Sequence, residues 1–238
     1  MRLHLHDDLM ISKKTGPTDL VTQMDQQVQK DLVEKITHRY PDDRIFAEED
    51  GLRSPISEGS VWVIDPIDGT NNFVTQKEDF AVMVAYFEDG IGQFGLIYDV
   101  MRDYLFYGGG EFPVYRNEVE LTLFVDQPLE NFLIASNVGM LEKNDWGMAD
   151  LGMDSLGIRV YGSAGISFSK ILSGGILAYF SYIWPWDYAA AAIMGERLGY
   201  TVLNLNGDKP NYQTVEPIMM VPKVKLTEIQ TYLKKGRS

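Results

Sequence analysis

Residues 62–73 constrain this chain more than any other run: Trp62, Val63 and Ile64, then Asp65, Pro66, Ile67, Asp68, Gly69, Thr70, Asn71, Asn72 and Phe73. Trp62 to Ile64 are aromatic or β-branched and suit a covered strand. Pro66 has no N–H to give a ladder, so the strand is expected to end there. Asp65 and Asp68 then stand three positions apart on a bend. Two carboxylates held that close repel each other unless a cation lies between them, and hard oxygen ligands suit Mg²⁺. Gly69 and Thr70 follow at a helix start, where free amides welcome an anion. Metal and anion together point to a phosphate ester. In a plainer reading, Asp65 caps the strand end and Asp68 caps the next helix, but the segment is richer than a cap requires. A calcium loop does not fit, because the alternating acids and the terminal Glu are missing.

Charge and composition narrow the chemistry. The 238 residues carry 21 Lys and Arg against 34 Asp and Glu, a net charge of −13. Such a surface repels nucleic acid and anionic membranes, so neither is expected as a partner. A protein this acidic that binds phosphate needs cations to reverse the local sign. Cysteine is absent, which excludes disulfides and thiolate zinc sites. His4, His6 and His38 form no metal pair on a helix, so zinc is a poor fit. The apolar run from Ile171 to Trp184 is too short to span a bilayer. With no signal peptide in view, a cytoplasmic protein is expected.

A second acidic motif lies far along the chain, at Trp186-Asp187-Tyr188-Ala189-Ala190-Ala191. A lone acid after bulky apolar residues is costly to bury unpaired, and a metal would remove that cost. Together, residues 62–73 and 186–191 resemble the two signatures of the inositol monophosphatase family, in the right order and over nearly the whole length. The family belongs to the Mg²⁺-dependent, lithium-sensitive phosphatases. The resemblance implies a layered α-β-α-β-α sandwich, an α+β fold, and a homodimer. Two subdomains are expected: 1–126 with most of the metal ligands, and 127–238 with Asp187 and the substrate pocket. The family's N-terminal helix precedes the point where this pattern opens.

Other segments take their meaning from the same resemblance. Lys14 to Pro17 reads as a turn and resembles the family's K-x-x-P, whose lysine lies near the metals. Thr18 or Asp19 can cap a helix to about Arg39, with Val21, Met24, Val28, Leu32 and Ile36 along its apolar face. Asp25 flanks that stripe and reads alone as a surface acid; the resemblance pairs it with a threonine beside the attacking water. Glu48 and Glu49 read alone as a solvated loop, yet resemble the family's G-E-E, with Ala47 in place of Gly. Strands are expected at 45–47, 80–87, 92–98 and 104–107 as an antiparallel meander, with a further hairpin from Val114, and then at 132–135, 158–161, 176–182, 200–203 and 217–221. The small residues Gly162, Ser163 and Ala164 allow either tight packing or close approach of a ligand; the resemblance favours substrate contact.

The implied mechanism is metal-assisted hydrolysis of a phosphate monoester. By resemblance, Glu48, Asp65 and the Ile67 carbonyl hold one Mg²⁺ that activates water, and Asp65, Asp68 and Asp187 hold another near the leaving oxygen, in a site of two or three ions. Glu49 helps hold metal-bound water. Thr70, paired with Asp25, orients the attacking water, and the Gly69 and Thr70 amides cradle the phosphate. No Ser, Cys or His stands in a nucleophile arrangement, so no phosphoenzyme is expected. The expected substrate is a small phosphorylated metabolite, foremost myo-inositol monophosphate. The alternatives are the 2′-phosphate of NADP, fructose 1,6-bisphosphate and nucleotide 3′-phosphates, with a non-catalytic metal-binding scaffold as a different class. Inositol-preferring relatives carry a Glu seven residues before the second-signature Asp. Counting back from Asp187 reaches Phe180, an apolar or stacking surface for a leaving group.

Overall fold

A computed structural model of the chain describes residues 11–13 and 20–235, with side chains from 23 to 233. The Lys14 to Pro17 turn and the Thr18 or Asp19 cap lie outside the described residues. Strand β1 (Ile11–Lys13) pairs antiparallel with β2 (Leu20–Thr22), and α1 (Gln23–Arg39) follows. The helix therefore begins later than its apolar spacing suggests, because Leu20 to Thr22 go into a ladder instead. Its buried residues are Asp25, Gln29 and Ile36. Two of the three are polar, and that face looks toward the acids described below.

Strand β3 (Arg44–Ala47) lies parallel to β4 (Ser60–Asp68). Contrary to the sequence expectation, β4 does not stop at Pro66. Its pairing jumps from Asp65 opposite Met83 to Asp68 opposite Ala81. A bulge between them absorbs the missing proline N–H, and the ladder resumes. Helix α2 (Thr70–Thr75) comes next. Strands β5 (Ala81–Glu88), β6 (Ile91–Asp99), β7 (Tyr104–Gly109), β8 (Phe112–Arg116) and β9 (Val119–Glu120) then run back and forth, each antiparallel to the last. This seven-stranded sheet has the order β3-β4-β5-β6-β7-β8-β9.

The rest of the chain gives β10 (Leu133–Ser136), α3 (Val138–Glu142), α4 (Met148–Asp154), β11 (Gly157–Arg159), α5 (Ala164–Leu172), β12 (Ala178–Ile183), α6 (Pro185–Arg197), β13 (Tyr200–Asn204), β14 (Glu216–Pro222) and α7 (Leu226–Lys235). Its sheet has the order β11-β10-β12-β14-β13.

Apolar contacts set the layers. Val63, Met83, Ile97 and Phe106 of the first sheet share one core with Ile166 and Phe168 of α5, Tyr188 and Met194 of α6, and Tyr179 and Met220 of the second sheet. Helices α5 and α6 thus fill the space between the sheets. Gly95 on β6 makes the closest approach: a Cβ there would sit 2.3 Å from the Ala190 carbonyl oxygen, which explains a glycine facing the alanine run of α6. Ile36 of α1 packs with Ile45 and Ile64 on the outer face of the first sheet. Met140, Met148, Leu151, Ile229 and Leu233 from α3, α4 and α7 cover Ile134, Phe180 and Met219 on the outer face of the second. The result is the expected α-β-α-β-α sandwich.

Candidate active site

The bulge of β4 and the start of α6 bring the acids together. Carboxylate oxygens of Asp65, Asp68 and Asp187 all lie within 4.8 Å of one another. Burial raises the pKa of Asp65 well above the ordinary value, and Glu48, Asp68 and Asp187 raise it further. Asp187 is likewise raised, by burial first and then by Asp68 and Glu48. Glu48 lies near enough for its charge to act on both, placed where β3 ends with its N–H donating to the Ile64 carbonyl at 3.1 Å. Asp65 and Asp187 also interact with each other through a side-chain hydrogen bond, and both carboxyls are raised.

The donor set fits a hard divalent cation. Asp65 Oδ1 is buried with no hydrogen-bond partner. Such an atom is costly to bury unless a cation or proton meets it. Several carboxylates at one point are the hard oxygen ligands that Mg²⁺ takes. The cation's charge also answers the mutual repulsion that the raised pKa values report.

Asp68 is held differently. It accepts hydrogen bonds from Ser163 Oγ, from Ala164 N at 3.1 Å and from Gly165 N at 2.7 Å. These bonds pull against the effect of burial, which still leaves its pKa raised. Asp68 does cap a helix, but it is α5, some 95 residues away, rather than α2. A carboxylate offers about four lone-pair sites. Three are taken here, which leaves room for one metal bond. Gly69 precedes α2 at φ 86° with Ser163 Cβ 2.9 Å from where its own Cβ would be, so the crossing admits only glycine without movement.

Thr70 opens α2. Its hydroxyl lies 3.1 Å from Asp25 Oδ1 and 3.1 Å from the Ile67 carbonyl oxygen. The Asp25–Thr70 pairing expected from resemblance is present, and Asp25 is 0 % exposed, not a surface acid. One turn along α1, Gln29 Oε1 accepts from Glu49 N at 2.8 Å. Gln29 thus fixes the acidic turn from inside. Its spacing of four from Asp25 was the signal that it shares that face. Asn72 Nδ2 donates to the carbonyls of Asp79 at 2.9 Å and Tyr161 at 2.7 Å, tying α2 to the segment that carries Gly162 and Ser163. Neither role is visible without the fold.

One expected contact is wrong. Phe180 is 0 % exposed and packs among Ile134, Met140, Met148 and Met219, in the core on the side of the second sheet away from the acids. Strand alternation sends its neighbours Tyr179 and Ser181 the other way. Tyr179 is hydrogen-bonded with Ser181 and Ser167, and its hydroxyl pKa is raised by burial, with Asp68 and Asp187 also acting on it. Counting back seven residues lands on the strand's far face, so Phe180 offers no surface to a substrate. Lys14 lies outside the described residues.

Known proteins resemble this chain in sequence and fold. Inositol-1-monophosphatase of Bacillus subtilis is 36% identical over 210 residues, covering 86% of this chain and 79% of the relative. SaIMPase-II, solved with inositol monophosphate bound and with 2′AMP bound, is 30% identical in both, with TM-scores of 0.82 and 0.83, covering 89% of this chain and 83% of that one. Staphylococcal inositol monophosphatase-1, solved as an inhibitory complex soaked in 100 mM LiCl, is 25% identical with a TM-score of 0.88, covering 98% and 87%. The family model described as "Inositol monophosphatase family" matches residues 1–235, and the chain belongs to that family.

Proposed function

We propose that this phosphatase hydrolyses a small phosphate monoester, foremost myo-inositol monophosphate, with two or three Mg²⁺ ions as cofactor. The convergence of Asp65, Asp68 and Asp187, with Glu48 beside them, carries the reading. Those four side chains and the Ile67 carbonyl would hold the ions. Bound Mg²⁺ would supply positive charge to the phosphate oxygens and acidity to a bound water.

The chain's own residues do the positioning. The Thr70 hydroxyl has one proton, shared between Asp25 and the Ile67 carbonyl. Its oxygen keeps lone pairs that accept from the attacking water and aim it at phosphorus. Asp25, fully buried, keeps that hydroxyl turned. Glu49, whose backbone is fixed by Gln29, assists the water. Gly69 and Thr70 amides receive the phosphate oxygens. Ser163 and Ala164 donate to Asp68 and hold it in place, and with Gly162 they are assigned to contact the substrate.

Binding of both inositol monophosphate and 2′AMP by SaIMPase-II supports keeping nucleotide phosphates, including the 2′-phosphate of NADP, as the second reading. Phosphate release from a panel of these esters, with Mg²⁺ and with EDTA, tests the assignment. Fastest Mg²⁺-dependent turnover of inositol 1-phosphate supports the first reading, and fastest turnover of the nucleotides the second. The family resemblance further supports a homodimer in the cytoplasm, and light scattering at twice the mass of one chain would bear out the dimer. No helix among the described residues is long and apolar enough to cross a membrane.

A further inference from the structure

Arg53 joins the two segments that carry the acids. Its Nη1 donates to the carbonyls of Ala47 and of Leu52, the latter at 3.0 Å, and Nη2 donates to the Glu48 carbonyl at 3.3 Å. These bonds, with Ala47 N to the Leu52 carbonyl at 3.0 Å, close the turn that presents Glu48 and Glu49. The same guanidinium lies 4.6 Å from the ring centroid of Trp186 and 5.8 Å from that of Phe46. Trp186 precedes Asp187 and is 5 % exposed. Phe46 meets it edge-on at 5.6 Å, and Trp184 stacks on it at 4.8 Å with 9° between planes. Trp184 N in turn donates to Asp187 Oδ2 at 2.7 Å. A continuous path of contacts thus runs from the Glu48 backbone through Arg53 and the two tryptophans to the Asp187 carboxylate.

We infer that Arg53 is a positioning residue that locks the Glu48–Glu49 turn onto the start of α6, so that the acids of the first sheet and of α6 face each other before a cation arrives. The inference rests on the Mg²⁺ reading of the site. Arg53 holds the turn from the solvent side through backbone carbonyls and a ring face, without contacting substrate. Three carbonyls and a ring face are served at once only by a planar guanidinium. A lysine ammonium keeps the charge but not the geometry.

Calorimetric titration of Mg²⁺ into the EDTA-stripped full chain tests this, alongside kcat at saturating Mg²⁺. Arg53→Ala and Arg53→Lys are both expected to bind Mg²⁺ about tenfold more weakly, as losing a second layer of support does, while kcat at saturation stays within about threefold of wild type. Trp186→Leu should weaken binding likewise, and adding it to Arg53→Ala should cost little more, because both break one path. Unchanged affinity in Arg53→Ala, or full rescue by lysine, overturns the role of Arg53 while leaving the metal site standing. Failure of the wild-type chain to bind Mg²⁺ overturns the metal reading, and this inference with it.

Discussion

Asp65 and Asp68 sit three residues apart on one strand, and the fold treats them in opposite ways. Asp68 is a satisfied group: a hydroxyl and two amides from α5 converge on it. Asp65 is an unsatisfied one. One of its oxygens has no hydrogen-bond partner, and the acids around it push its proton affinity up. Asp68 therefore serves the architecture as well as the chemistry, since it ties the first sheet to a helix of the second half. Asp65 costs the metal-free fold stability and makes sense only with a cation against it. Neighbouring carboxylates in one motif thus divide the work, and substitutions should separate the two roles.

The largest effect is expected from Asp65→Asn. Phosphate release should fall about a thousandfold or more, since charge stabilisation worth several kcal/mol is lost. The metal-free protein should melt no lower than wild type, because a repelled buried acid has gone; a lower melting temperature would break the comparison. Asp68→Ala should instead lose about 3 kcal/mol of stability in denaturant unfolding as well as activity, because three donors are left without their charged acceptor. Ser163→Ala sharpens the point. Ser163 Oγ also accepts from Ile166 N at 3.1 Å as the N-cap of α5, so about 1–2 kcal/mol should go.

A pH series gives the smallest effect. Burial raises the folded-state pKa of Asp65 and Asp187. Their contribution to metal-free stability is thus present at acid pH and lost as pH rises through the raised values. In EDTA the melting temperature should drop by about 2–4 °C for each kcal/mol lost as pH rises from the ordinary carboxylate range through those raised values. Asp65→Asn should flatten that slope, and an unchanged slope in the variant would mean the acids do not repel.

The acids themselves were legible because their signal is local. Asp65, Asp68 and Asp187 stand in short motifs whose residue types have few other uses, and the strands around them carry β-rich runs. What failed was whatever depends on which way a strand faces or on what lies across the fold. Phe180 was placed by counting, and pleat alternation put it in the outer core. Pro66 was read as a stop, yet a bulge let β4 continue. The apolar stripe of α1 concealed that Asp25 and Gln29 are buried along with Ile36. Helices α3 and α4 went unread because five- and seven-residue helices carry too few turns to show a period. Arg53 belongs to no motif, and only the ring of Trp186, far along the chain, gives it a role.

The central claim is that distant carboxylates share a divalent cation in order to cleave a phosphate ester. Inorganic phosphate release from inositol 1-phosphate, followed as Mg²⁺ is titrated back into the EDTA-stripped chain, tests it most directly. The account predicts no turnover without the ion and a saturable recovery that Asp65→Asn abolishes. Turnover that persists in EDTA, or that survives in Asp65→Asn, would contradict it.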